Sequence, residues 1–269
     1  TFVSERPPCL HTIGLAFPGK PGGHWSLFWE AVRRAADQMQ SRSNWRFPTY
    51  FGLSGDELAA NYARLQADLE TFQLGGVLFA AHPGPLGGAP LLAAECPVPR
   101  VALSYAVPSP GIGAVYPDFR SFTARALEHL RARNRRRVAA ITIGALPRSW
   151  VTELEKGMRQ AQLAFQPYWL QGVPLGNSRW AANCVQALMA ASPDKRPDAL
   201  IVTDDHLLRG VIEGLRGAGV RIRQDLDVVA LRNWPTEQPA EPGVCYLGFE
   251  ADHVLCTCLK MLRRRAQSE

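Results

Sequence analysis

Two adjacent carboxylates, Asp204 and Asp205, close the apolar run ALIVT and open an amphipathic stretch. A strand ending in such a pair and leading into a helix gives the carboxylates three uses. One of them, Asp205, can cap the helix by accepting from its unpaired amides. Either can accept a hydroxyl of a ligand, and the two together could serve acid/base chemistry. No second catalytic element accompanies them, so capping and ligand binding rank above catalysis. Lys20, Arg148 and Arg232 also fall at or near the ends of apolar runs. Guanidinium groups grouped this way recognise carboxylate or phosphate through charge-assisted forks. Trp25, Trp150 and Trp234 each follow an apolar run as well, where an indole either fills core or stacks on a ring.

Other chemistries lack their residues. The segment GKPGG at 19–23 sits where a phosphate loop would, but no GxGxxG or GxxxxGK[ST] spacing is present, and a plain connecting loop is the simpler reading. GLSGD at 52–56 is not the GxSxG of a nucleophile elbow. The six histidines form no HExxH or similar ligand set, and no metal or cofactor is expected. The run RARNRRR at 131–137 could be a nucleic-acid patch, but its place at a helix-to-strand junction fits a solvated helix end better. Six cysteines are scattered with no CxxC pair, which predicts free, buried thiols.

The elements that must position these residues follow from composition and pattern. The chain has 269 residues, a formal charge of +6, 46% hydrophobic and 20% charged residues. That is a globular composition able to bury a core without disulfides or metals. No apolar run is long enough to span a bilayer, and the first residues lack a secretory-signal pattern.

Short β-rich runs alternate with helical stretches nearly end to end. Strands are predicted at 11–17, 45–51, 76–81, 100–104 and 112–116, then at 137–143, 167–171, 199–203, 227–231 and 244–249. Helices are predicted at 25–40, 55–71, 119–133, 150–165, 178–191, 206–218 and 252–265, with a short one near Pro90. Strands separated by helices imply parallel sheets. The pattern divides near Tyr116–Asp118, giving an α/β architecture of two doubly wound parallel-sheet lobes. Ligands of such sheets bind beyond the carboxyl ends of the strands, which predicts a ligand cleft between the lobes.

Three segments carry a family resemblance. ALIVTDDHLLRGVIEGLRGAGVRIRQDLDVVAL at 199–231 resembles the strand–acid–helix–strand signature of the lactose-repressor/galactose-repressor family, with Gly210, Gly219, Asp225, Val228 and Val229 in place. HTIGLAFPGKPGGHWSLFWEAVRRAA resembles the family's opening strand, ligand loop and first helix. FTARALEHLRARNRRRVAAITI resembles its helix–basic–strand junction, and the match runs from about His11 to Arg265.

The resemblance implies a periplasmic-binding-protein-like effector domain: one lobe from 10–117 and 248–269, the other from 118–247. It implies a homodimer, a cytoplasmic location, and operator DNA read only through a separate N-terminal helix-turn-helix domain that this chain lacks. By itself the chain should bind no operator. Carried across residue by residue, it implies that His24 and Trp25, His82, Asp118, Arg148 and Trp150, and Asp205 face the effector, a carbohydrate-like small molecule.

The pattern also departs from the family. Leu154 replaces a sugar-binding Arg before Gly157, and Arg232 replaces a sugar-binding acid. Arg223 stands in place of a Pro and Ala230 in place of a Gly. Arg for a carboxylate exchanges an acceptor for a five-donor cation. Two outcomes stay open: an anionic sugar derivative bound through Arg232, or an internal pair of Arg232 with Asp204 or Asp205. A transporter's solute-binding protein and an α/β enzyme using Asp204 and Asp205 are the competing functions.

Overall fold

The computed structural model describes residues 10–22, 25–54, 58–94, 96, 98–104, 110–144, 148–174 and 177–266; the side chains of Arg148, Ser149, Trp150 and Ser178 lie outside this set, as does all of His24. The chain divides into two units, one formed by residues 1–117 and 250–269 and the other by Asp118–Phe249.

The first unit begins with β1 (Ile13–Ala16), α1 (Leu27–Arg42), β2 (Thr49–Tyr50), α2 (Leu58–Glu70), β3 (Gly76–Phe79), β4 (Arg100–Leu103) and β5 (Gly113–Val115). The sheet order is β2-β1-β3-β4-β5, with parallel registers such as Ile13↔Gly76 and Val101↔Gly113. The second unit holds α3 (Phe119–Ala132), β6 (Val138–Ile143), α4 (Arg148–Gln160), β7 (Leu170–Val173), α5 (Ser178–Met189), β8 (Ala199–Val202), α6 (Asp205–Gly217), β9 (Asp227–Trp234) and β10 (Cys245–Glu250). Its order is β10-β9-β8-β6-β7, with β6, β7, β8 and β9 parallel. The chain then returns to the first unit as α7 (Ala251–Ala266), which packs against α1, β4 and β5.

Strand alternation shows why each sheet is covered on both faces. In the second unit Ala139, Ile141, Leu200, Val202, Val228 and Ala230 point into the core beneath α5 and α6. Their neighbours Val138, Ala140, Ala199, Ile201, Val229 and Leu231 point into the core beneath α3 and α4. Side chains of period two therefore feed two layers, which is why these strands read as unbroken apolar runs. The first sheet does the same: Ile13, Leu15, Leu78 and Val101 meet α1 and α7, while Ala16, Val77, Phe79 and Ala102 face the α2 side. Each fully buried aliphatic side chain contributes roughly 1.5–3 kcal/mol.

Several boundaries differ from the sequence reading. β2 is confined to Thr49–Tyr50, because Pro48 has no amide to donate and offers only its carbonyl, to Leu15 N at 2.9 Å. α4 starts earlier and stops at Gln160, where Gln162 takes a left-handed φ of 58°. Pro167 opens a single 3-10 turn, Pro167–Trp169, and delays β7 to Leu170. β9 runs on to Trp234, so that tryptophan lies in the strand rather than after it. Of the cysteines, Cys184 and Cys258 are buried, Cys96 and Cys245 are half-buried and Cys256 is exposed; Cys9 lies outside the described residues. The expectation of uniformly buried thiols is corrected accordingly. No helix among the described residues is long and apolar enough to cross a membrane.

Candidate functional site

The carboxyl edge of the second sheet brings together the ends of β8 and β9. Asp204 lies in extended backbone and is the N-cap of α6, its carboxylate accepting from His206 N at 2.9 Å. The cap is thus Asp204, not Asp205 as the sequence suggested. The reason is geometric: an N-cap residue must itself be non-helical, and Asp205 is already in the first turn.

Released from capping, Asp205 turns inward. It is 7% exposed, and its Oδ2 accepts from Asn233 Nδ2 at 2.9 Å and Asn233 N at 3.3 Å. Its Oδ1 is buried and has no hydrogen-bond partner among the described residues. Burial, with the Asp204 carboxylate alongside, pushes the Asp205 pKa up to about 6, although the Asn233 hydrogen bonds and His206 oppose the rise. His206 Nδ1 lies 3.1 Å from Asp204 Oδ1 and 3.9 Å from Asp205 Oδ1. Ligand-type atoms of these three residues fall within 4.8 Å of one another. A cavity of about 710 Å³ opens beside them, its other walls including Asn177 from the N-cap of α5, Arg209 and Arg216 from α6, and Gln238 and Glu241 from the loop after β9.

Arg232, near the end of β9, pairs with neither aspartate among the described residues. Its Nη2 donates to the Gln238 carbonyl, and its guanidinium lies 4.6 Å over the Tyr246 ring. Its Nε is buried with no hydrogen-bond partner among the described residues. The internal pair held open above is therefore replaced by a backbone carbonyl and an aromatic face. The loop that supplies this carbonyl is itself held where Glu241 N donates to Tyr246 Oη at 2.7 Å.

The other sequence candidates are dispersed. Trp25 is buried, with ring centres 5.0 Å from Phe17, 5.5 Å from Trp29 and 5.7 Å from Phe51, and its indole N–H donates to Glu30 at 3.1 Å. It is a wall of the first core more than a projecting ring. Lys20 is exposed in the loop after β1. His82, half-buried after β3, accepts from Gly84 N at Nδ1, 2.9 Å away, so a neutral ring carries its proton on Nε2. Asp118 is exposed and caps α3, and its bonds from Ser121 hold the carboxyl below its usual range. Arg148 and Trp150 begin α4, with their side chains outside the described residues, and His24 lies outside them altogether.

Two polar residues escaped the sequence reading. Asn233, 4% exposed, orients Asp205; the strand period that points it opposite to Arg232 was the available signal. Arg100, 2% exposed, donates to the carbonyls of Leu91, Ala93, Cys96 and Val98, and so holds the segment before β4 in place.

A family model described as "Periplasmic binding protein-like domain" matches residues 127–269, more than half of the chain. The chain belongs to this family. Solved structures share the periplasmic-binding-protein-like fold over nearly the whole chain. A LacI family transcriptional regulator from Arthrobacter sp. FB24 in complex with lactose is 15% identical, with a TM-score of 0.74 over 96% of this chain and 90% of that one. A regulatory protein of the LacI family from Chloroflexus aggregans is 18% identical, with a TM-score of 0.74 over 96% and 91%. A LacI family transcriptional regulator from Lactobacillus casei with bound sucrose is 18% identical, with a TM-score of 0.69 over 96% and 92%. No curated protein matches the chain.

Proposed function

We propose that this periplasmic-binding-protein-like chain is the effector-sensing part of a LacI-type transcription regulator, and that its effector is a carbohydrate-like small molecule. The observation that carries the reading is Asp205 Oδ1, a buried acceptor without a hydrogen-bond partner among the described residues, at the carboxyl edge of β8 beside a cavity. An unsatisfied buried acceptor costs about 1–3 kcal/mol, and a ligand hydroxyl would recover it. The sugars bound by the Arthrobacter and Lactobacillus regulators support the same ligand class. His24, Trp25, His82, Asp118, Arg148 and Trp150 remain proposed contacts from the carboxyl-edge loops.

A second reading of the ligand is favoured by Arg232, whose Nε is buried and unpaired. A sugar acid or sugar phosphate could take that donor, whereas a neutral sugar needs only Asp205. Calorimetry with neutral sugars, sugar acids and sugar phosphates, on wild type, Asp205→Asn and Arg232→Ala, tests both. The effector reading expects Asp205→Asn to weaken binding by about 10-fold or more, the loss of one hydrogen bond to a charged group. Equal binding by Asp205→Asn removes Asp205 from the site. Arg232→Ala that loses only anionic ligands selects the anionic reading, and unchanged binding of those ligands overturns it.

The protein would act by binding and not by turnover, shifting a two-state equilibrium of a cytoplasmic homodimer whose operator-reading domain is a separate N-terminal helix-turn-helix. Recovery of the bound sugar chemically unchanged, and a dimer in sedimentation velocity, are the expected observations. Converted ligand would favour the enzyme alternative instead.

A further inference from the structure

Three arginines of the run that stands out in the sequence are held internally, while Arg131 and Arg136 are exposed. Arg133 and Arg135 both donate to the buried Asp227, and Arg137 donates to the carbonyls of Arg196 and Pro193 and lies 3.5 Å from Asp198. A second basic cluster, assembled from three distant segments, is not so held. At the amino edge of the first sheet the chain enters through His11, whose carbonyl accepts from Arg46 N at 2.8 Å. Arg42 ends α1, and Trp45 follows it. The guanidinium of Arg263, in the last turn of α7, lies 4.7 Å over the Trp45 ring, and the His11 ring meets the same indole at 5.3 Å.

His11, Arg42, Arg46 and Arg263 are all exposed. None of the three arginines is in an ion pair among the described residues. The acids of α1 do not neutralise them, because Glu30 and Asp37 are held by Arg33 and Arg34. Helix C-termini alone would explain Arg42 and Arg263 as dipole partners. They do not explain Arg46, which lies outside any helix, or the indole platform that fixes the direction of the Arg263 guanidinium. These exposed guanidiniums, Arg263 directed by the Trp45 ring and Arg46 by a 3.4 Å bond from its Nη1 to the Trp45 carbonyl, suit the phosphates of a nucleic-acid backbone.

We propose that this amino edge of the first unit docks the phosphate backbone of duplex DNA, independently of base sequence. Only the choice of DNA among polyanions rests on the regulator reading. It implies contacts beside an operator, too few to select one. Three neutralised phosphates predict a slope of about −2.7 in log affinity against log salt, or an affinity about 40-fold lower at 200 mM than at 50 mM salt.

The test is anisotropy of a short labelled DNA duplex of mixed sequence, titrated with the full chain across that salt range. Arg42→Ala, Arg46→Ala and Arg263→Ala together should flatten the slope to near zero. The corresponding triple Lys variant, which keeps the charge and serves if the Ala variant does not fold, should retain most of it. Arg131→Ala with Arg136→Ala, removing charge from the second unit, should leave it unchanged. Absence of binding at 50 mM, a wild-type slope in the triple Ala variant, or an equal loss in the second-unit variant would overturn the proposal. So would polyglutamate binding at least as tightly as the duplex, which would assign the edge to an acidic polypeptide. None of these readouts uses a sugar, so failure here leaves the effector reading intact, and failure of sugar binding leaves this surface to be judged alone.

Discussion

Asp205 is held in the folded chain with its ionised form disfavoured, and that has a sign. Its folded pKa of about 6 lies above the ordinary aspartate value of 3.8. The folded state therefore binds more protons than the unfolded state between those values, and stability falls as pH rises through the folded pKa. The carboxyl's contribution is complete below the lower value and lost above the upper one. Two pKa units correspond to on the order of 3 kcal/mol. Urea unfolding across pH 3.5 to pH 7 should show wild-type stability falling between about pH 4 and about pH 6 and level above it. Asp205→Asn should flatten the fall and be the more stable protein at the upper end. A wild-type profile in that variant would mean that Asp205 is not desolvated. The contrast is Asp227: burial pushes its carboxyl up, but hydrogen bonds from Arg135 and Arg133 prevail and leave it below the usual range. Two buried carboxylates in one unit thus differ because one has guanidinium partners and the other has an amide partner and a second carboxylate alongside.

At the scale of elements, α5 and α6 show a close fit. A Cβ on Gly214 would stand 2.6 Å from the Ala182 carbonyl oxygen and 2.9 Å from its Cα. Ala would gain about 1 kcal/mol of helix propensity over Gly, but pushing the helices apart costs about 1–3 kcal/mol. Gly214→Ala should therefore be destabilised by about 1 kcal/mol in urea unfolding; a net gain would show that the helices part without loss. Neither Gly214 nor its partner was legible in the sequence, because a close approach depends on which helices become neighbours. What was legible were features that repeat. The apolar runs at 138–143 and 199–202 became central parallel strands, and the helix following the second came within one residue of its observed limits. At the site, Asp204, Asp205 and Arg232 were singled out by type and placement. Their partners, Asn233, the Gln238 carbonyl and the Tyr246 ring, were not, because Asn233 meets Asp205 only once β8 and β9 pair, and the other two meet Arg232 only once the loop after β9 has turned back. Trp25 was read as a possible platform because loops after strands often carry ligand contacts. Phe17, Trp29 and Phe51 converge on it only once β1, α1 and the β2 edge are assembled.

For the whole molecule, the two units have different relations to chain order. The second is one continuous segment, Asp118–Phe249, whereas the first is assembled from residues at both ends. Its core beneath α1 includes Ala251, Leu255, Cys258, Leu259 and Leu262, all supplied by α7. On a ribosome the polypeptide emerges from its amino end, and domains fold as their segments become available. The first unit, though made first, must wait for the second to be synthesised before its apolar face can be closed. Nascent chains stalled after Phe249 should therefore show strong amide-exchange protection in β6, β8 and β9 and weak protection in β1, β3 and β4. Extension through Ala266 should restore the latter, and full protection of β1 before α7 emerges would refute this order. The earliest-made segment thus spends the longest time exposed, and it is there, rather than around Asp205, that a chaperone would find its binding surface during synthesis.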